Sequence, residues 1–479
     1  MYLGLDLGTS GLKGLVIDAA GSVVAQSSAP LSVSRPHPGW SEQDPAGWIS
    51  AARAVLRDLA GTIDMGAIAG IGLSGQMHGA TVLDASDTVL RPCILWNDTR
   101  ADAQATRLDA DPRFRAISGN IVFPGFTAPK LVWMAEEEPD LFARAAKVLL
   151  PKDYLRLWLT GAHVAEMSDA AGTSWLDVGA WDWSDDLLTA SGMTRNQMPA
   201  LVEGTAISGG LRAALGAEFG LRSGIPVAGG AGDNAATAIG MGIARGGQGF
   251  VSLGTSGVLF AATDSYAPAP QTAVHSFCHA LPGQWHQMGV ILAATDALNW
   301  FSGIAGASAA DLTANLGALQ PPGRPLFLPY LGGERTPLND AAIRGAFIGL
   351  DHATDRAAAT RAVMEGVVFA LKDCQQALAA TGTQLDTLLA AGGGARSEYW
   401  LSALATALDL PILVPQAGDH GAALGAARLG LMAATGAGAE AMPLPPIARE
   451  VAPDPALTTA FADTYTRYRA AQTAIKDLT

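Results

Sequence analysis

The sequence predicts an α/β fold in two domains, and three observations carry that prediction. Short β-prone runs alternate with helical patterns along the chain, which is how mixed α/β architecture reads in sequence. The 479 residues exceed what one ordinary core organises and suit two. The motif Leu-Gly-Thr-Ser-Gly occurs at residues 7–11 and again at 253–257, once in each half and each time between β-prone runs.

Strands are expected over residues 2–5, 68–73, 147–150, 226–228, 249–253, 387–391 and 412–415. Helices are expected over 45–59, 360–380 and 398–408, and the last two carry apolar residues at spacings of three and four. The domain boundary is expected near 245, giving domains of 1–245 and 246–479.

Composition narrows the function classes. The chain is 49% apolar and 15% charged, as folded globular proteins are, and its 56 glycines without a period point to tight turns and close backbone approaches. Lys and Arg total 30 against 44 Asp and Glu, a net charge of −14, with no basic patch, so nucleic acid is not an expected partner. No apolar run suits a membrane span, and the first residues lack the basic start of a signal peptide. Three scattered cysteines form neither a disulfide framework nor a metal-ligand spacing. A cytoplasmic protein handling small molecules is expected, and a homodimer is compatible with the sequence.

Each motif copy reads as a hairpin turn whose N–H groups and hydroxyls, at Thr9 and Ser10 and at Thr255 and Ser256, can face anionic oxygen. Two such turns would clasp a polyphosphate between the domains. Asp6 precedes the first copy where Ser252 precedes the second. A carboxylate beside a phosphate nest calls for a cation between them, so Asp6 reads as a Mg2+-associated residue; an Asp capping a turn is the plainer alternative. Asp233 and Asn234 follow a β-prone run that ends in small residues and open an Ala-rich helical pattern, where an Asp can simply cap the helix. Met77 and His78 follow the strand at 68–73, between Gly75 and Gly79.

Other signals fail. Gly70-Ile71-Gly72-Leu73-Ser74-Gly75 fits the dinucleotide pattern, but a strand rather than a helix follows and no acidic ribose partner lies about 20 residues on. No Lys follows a Gly, so a Walker-type loop is absent. His275 and His279 have helical spacing without a zinc motif around them.

Four segments together carry a family resemblance: 4–11, 125–137, 345–350 with 361–366, and 391–397. The chain resembles the FGGY carbohydrate kinases, of the actin/Hsp70/sugar-kinase superfamily, over essentially its full length. Segments 34–45, 75–79, 95–98 and 150–156 are similar to those of the members that phosphorylate xylulose. The resemblance implies two actin-like (ribonuclease H-like) ATPase domains with ATP and sugar in the cleft between them. It implies transfer of the γ-phosphoryl group of Mg·ATP to the 5-hydroxyl of D-xylulose, with Asp233 as general base. On the same grounds Asp6 and Asp233 attend the metal, and Met77, His78, Asp233 and Asn234 bind sugar. Thr9, Ser10, Gly254, Thr255 and Ser256 contact phosphates, and Gly393, Gly394 and Ser397 lie at the adenosine. His78 is expected to donate to a sugar hydroxyl and Met77 to form an apolar wall; Trp96 either borders this pocket or belongs to the core. Another ketose or polyol, such as ribulose or glycerol, is the alternative substrate, and an actin-like nucleotide switch is the alternative class.

Overall fold

Two seven-stranded mixed sheets organise the chain, one formed by residues 2–232 and the other by residues 247–451. The computed structural model describes every residue except 315, 417–420, 477 and 479. In the first sheet β1 (Tyr2–Leu7), β2 (Gly11–Ile17) and β3 (Val23–Pro30) form an antiparallel meander. Beyond β1 lie β4 (Gly70–Gly75), parallel to it, then β6 (Pro226–Ala228) and β5 (Ile207–Gly210) at the edge; Ala231–Gly232 also pairs with β4. The second sheet runs in the order β9-β10-β8-β7-β11-β12-β13. Its members are β7 (Gly247–Leu253), β8 (Gly257–Thr263), β9 (His275–Cys278), β10 (Trp285–Ile291), β11 (Leu385–Ala391), β12 (Ile412–Pro415) and β13 (Ile447–Val451). Each sheet contains the same unit, an antiparallel hairpin whose first strand has a parallel neighbour on its other side: β1–β2 with β4, and β7–β8 with β11. The motif copies are the turns of those two hairpins.

Nine helices matter here: α1 (Pro45–Ala60), α2 (Thr127–Glu137), α3 (Pro151–Thr160), α4 (Asp233–Gly240), α5 (Thr295–Ala305), α6 (Arg356–Ala379), α7 (Glu398–Leu408), α8 (Gly421–Thr435) and α9 (Thr458–Ile475). The strand period of two sorts the residues of β1. Leu3, Leu5 and Leu7 face one way, into a core with Trp48, Val55 and Leu59 of α1. Gly4 faces the other way, onto α8. A second core, with Val363, Val367 and Leu371 of α6, Trp400 and Leu404 of α7 and Phe461 and Tyr468 of α9, supports the second sheet. A third joins the halves, bringing Met77, Phe126 and Leu131 together with Phe250, Phe260 and Phe277.

Helix α8 follows the second sheet's β12 but lies on the first sheet. It approaches so closely that a Cβ on Gly72 would sit 1.8 Å from the carbonyl oxygen of Ala426, and one on Gly4 2.3 Å from that of Ala423. A Cβ on Gly70 would sit 2.4 Å from the carbonyl oxygen of Gly430. The glycines that imitate a dinucleotide motif therefore make room for a helix. The expected strands and helices all fall on observed elements, with 68–73 displaced two residues to β4. His275 lies on a strand, so its spacing to His279 is not helical. Among the described residues no helix is long and apolar enough to cross a membrane.

Candidate active site

The two hairpin turns are built differently. At the first, the Thr9 hydroxyl donates to Gln76 Oε1 (2.8 Å) and accepts from the Trp96 indole N–H (3.0 Å). The Thr9 carbonyl accepts from Gln43 Nε2 (2.7 Å), while Gln43 Oε1 accepts from Gln76 (2.8 Å) and Trp48 (3.0 Å). A hydroxyl has one proton, and here Gln76 takes it. Thr9 can thus offer a phosphate its backbone N–H but not its hydroxyl, which narrows the contact expected of it. Ser10 is exposed at the tip. At the second turn, the Gly254 carbonyl accepts from the N–H (2.9 Å) and hydroxyl (2.7 Å) of Thr295, and the Thr255 carbonyl from the N–H of Ala294 (2.8 Å). These bonds fasten the turn to the start of α5 and leave the side chains of Thr255 and Ser256 exposed.

Two carboxylates converge beside the first turn because of strand register. Asp6 in β1 lies opposite Ser74 in β4, whose hydroxyl donates to Asp6 Oδ1 (2.7 Å). Ser74 also lies opposite Ala231, so Asp233 starts α4 from the other flank of β4. Asp233 is the first residue of the helix proper; the capping position is Gly232, and no side chain caps it. The capping reading of Asp233 therefore fails. Its Oδ1 accepts instead from the backbone N–H (2.7 Å) and side-chain amide (2.9 Å) of Asn234. Burial, reinforced by the charge of Asp6, pushes its carboxyl up to about 6, against the pull of the Asn234 bonds. Mutual repulsion between Asp6 and Asp233 is what a divalent cation would relieve. Magnesium commonly uses one or two carboxylates together with phosphate oxygens and water, so this pair fits it.

The loop carrying Asp233 is held from below. Arg156 on α3 donates to the carbonyls of Ala228 (2.6 Å) and Gly229, and Gly232 N–H donates to Ser168 Oγ (3.1 Å). Lys152, one turn before Arg156, forms buried ion pairs with Asp153 (2.7 Å) and Asp169 (2.9 Å).

Met77 packs directly beneath this loop, where a Cβ on Gly232 would be 2.9 Å from its Cγ. His78 adopts a left-handed conformation (φ 68°) and stacks on Phe126, ring centres 4.4 Å apart. Its Nδ1 is 2.7 Å from the Gly172 carbonyl oxygen. Burial, with lesser contributions from Lys130 and Arg335, lowers its pKa to about 3, so the ring is neutral. A carbonyl only accepts, so Nδ1 carries the proton and Nε2 a lone pair. Nε2 can therefore only accept a hydrogen bond, which reverses the donor role expected of His78. A cavity of about 580 Å³ opens at His78, with Trp96, Phe123 and Phe126 from the first half and Leu292 and Arg335 from the second among its walls. Trp96 is 47% exposed and is not a core residue.

A second cavity, of about 250 Å³, lies between Gly240 and Met241 on one side and Gly392, Gly393 and Pro415 on the other. Gly393 forms part of its wall. Gly394 packs away from it, with a Cβ there 2.7 Å from Leu253 Cβ. The Ser397 hydroxyl caps α7 by accepting from Trp400 N–H (3.3 Å), and Ser397 does not line this cavity. Sequence reasoning missed Gly172, behind His78, and Arg335; Gln43 and Gln76 stood inside recognised segments, but without their bonds around Thr9. Phe126 stood inside a recognised segment, but only its stacking on His78 gives it a role.

Paired Gly-Thr-Ser-Gly hairpin turns, an acidic pair beside the first and a cavity that combines aromatic walls with His78 and Arg335 are the parts expected of a phosphotransferase that works on a hydroxyl. Residues 1–240 match the N-terminal domain, and residues 249–434 the C-terminal domain, of the FGGY family of carbohydrate kinases. The chain belongs to that family. It is 48% identical to a xylulose kinase of Escherichia coli (strain K12), over 91% of this chain and 90% of that one. The crystal structure of a "xyloylose kinase" from Brucella ovis superposes with a TM-score of 0.98 at 60% identity, covering 100% of both chains. A xylulose kinase from Rhodospirillum rubrum gives 0.94 at 29% identity, covering 100% of this chain and 99% of that one.

Proposed function

We propose that this protein phosphorylates D-xylulose at its 5-hydroxyl with Mg·ATP and that Asp233 is the general base. The observation that carries the reading is the position of Asp233: at the start of α4, beside Asp6, in a loop packed on Met77, the residue before His78. A carboxylate with a pKa of about 6 is ionised at neutral pH and basic enough to take a proton from a hydroxyl as it attacks. Bound Mg·ATP supplies the transferable phosphoryl group. Around it, the backbone of the turns at 8–10 and 254–256 would meet the phosphates, and Asp6 with Asp233 would hold the metal. The cavity at Gly393 suits adenosine, which needs close approach to backbone. His78 Nε2 would accept from a sugar hydroxyl, and Met77 would form the apolar floor. D-Xylulose is chosen over other ketoses and polyols because of the relatives named above. Three buried, unpaired thiols suit a reducing cytoplasm.

The test is sugar-dependent ADP formation across D-xylulose, D-ribulose, glycerol and no sugar, at fixed Mg·ATP. The highest kcat/KM is expected with D-xylulose. Preference for ribulose or glycerol would overturn the substrate, and ATP hydrolysis indifferent to any sugar would favour a nucleotide switch.

A further inference from the structure

A loop of the second half brings an arginine to the sugar cavity that the chemistry above does not use. The backbone of Glu334 exchanges hydrogen bonds with Asp340 (2.8 and 2.9 Å). One residue past Arg335, Thr336 N–H donates to the Val290 carbonyl (3.0 Å) on β10, and its hydroxyl donates to the Ala273 carbonyl (2.9 Å) while accepting from Val290 N–H (3.0 Å). Arg335 is thus fastened on both sides and projects from a rigid base. Its guanidinium lies 4.7 Å from the centre of the Phe123 ring, which belongs to the first half, in the wall of the cavity that also holds His78.

Among the described residues no carboxylate forms an ion pair with this guanidinium. Glu334 commits Oε1 to the N–H groups of Leu292 (3.0 Å) and Arg335 (2.8 Å). The other oxygen of Glu334 has no hydrogen-bond partner, although the residue is 3% exposed and lines the same cavity. Burial holds this carboxyl up to about 8, so at neutral pH it is mainly protonated and can donate. Buried polar groups are rarely left unsatisfied, and here one, Glu334 Oε2, stands beside a half-buried guanidinium in the wall of the same cavity.

The substrate chemistry, taken from the proposed function on which this inference rests, indicates what they meet. A 2-ketopentose forms its five-membered ring by adding O5 to C2, which consumes both the hydroxyl to be phosphorylated and the carbonyl. Only the open chain has a free 5-hydroxyl, so the form that reaches Asp233 necessarily carries a C2 carbonyl. Met77 lies under the Asp233 loop, and the next residue, His78, lies within the electrostatic reach of Arg335. A sugar with O5 at Asp233 that runs past His78 therefore presents its carbonyl end to the loop. We infer that Arg335, with Glu334 beside it, binds the C2 carbonyl oxygen and 1-hydroxyl of the open-chain ketose and so favours ketoses over polyols of equal length.

Calorimetric dissociation constants for D-xylulose and for xylitol, which has an alcohol at C2, test this on the full chain. Arg335→Met is expected to weaken D-xylulose about 10- to 100-fold, the worth of a charged hydrogen bond, and xylitol less than about 3-fold. Arg335→Lys, which keeps a donor, should recover part of the loss. A loss equal for the two ligands, as a purely structural role would give, overturns the inference, and so does no loss for D-xylulose. Wild-type turnover in the sugar panel is measured alongside: if the wild type binds D-xylulose without phosphorylating it, the proposed reaction falls while the ligand ratio still decides the role of Arg335.

Discussion

Replacing Asp233 by Asn keeps the shape of the side chain and its acceptor oxygen, so both bonds from Asn234 can persist while the charge is removed. The folded protein holds this carboxyl at about 6, against an ordinary value of 3.8. At 1.36 kcal/mol per pH unit, keeping it ionised at pH 7.5 costs folding about 3 kcal/mol at most, water in the cleft lowering the figure. The sign follows from the raised value. The cost is absent where both folded and unfolded states are protonated, grows as pH rises from about 4 to 6, and is complete above that. Asp233→Asn should therefore be more stable than the wild type in urea denaturation, by up to about 3 kcal/mol at pH 7.5 and by about half that gain at pH 5. The same variant cannot accept a proton, so its kcat should fall about 10²- to 10⁴-fold. A variant no more stable than the wild type at pH 7.5, or a gain indifferent to pH, would refute the electrostatic argument. Near-normal turnover would refute the base.

In the wild type, kcat/KM should fall as pH drops through about 6, because protonated Asp233 cannot accept; His78, neutral down to about 3, adds no limb of its own. A profile flat from pH 5 to 7 would contradict this. Gly72→Ala would drive a Cβ to 1.8 Å from a backbone carbonyl of α8, and neither the strand nor the helix can yield. A loss of at least about 3 kcal/mol is expected in chemical denaturation, and a Tm within about 2 °C of wild type would count against the packing argument. Gly172→Ala would put a Cβ 2.5 Å from the His78 ring and turn it out of place. KM for the sugar should rise at least about tenfold with a smaller change in KM for ATP, and equal changes in both would argue against His78 as a sugar contact.

Much of the fold was legible because its signals are local. The strand at 226–228 and the helix at 398–408 match β6 and α7 residue for residue, since apolar periodicity and the breakers around each segment lie within the segment. The repeated motif also gave the hairpins, as a Gly-flanked two-residue turn between β-prone runs has few other conformations open to it. Helix α8 was not legible. Its composition, rich in Ala and Gly, carries little amphipathic signal, and its reason is found in Gly4, Gly70 and Gly72, more than 300 positions away in the chain. Those glycines answer a backbone that local sequence does not contain.

The site divides along the same line. Sequence identifies groups able to exchange protons, but the direction of each hydrogen bond is set by partners from elsewhere. His78 looked like a donor, and the carbonyl of Gly172, 94 residues on, makes its free nitrogen an acceptor. Thr9 looked like a phosphate-facing hydroxyl, and Gln76, 67 residues on, takes its one proton. Ser397 sat near the adenosine glycines and proved to cap the next helix, a role that four residues of local sequence would have suggested without the family resemblance. Asp233 is the opposite case. Local sequence suggested a cap, but register places Gly232 at that position and sets Asp233 across β4 from Asp6. A carboxylate kept basic at a cost to folding, when a cap would have lowered its pKa and stabilised the helix, is what a proton acceptor requires.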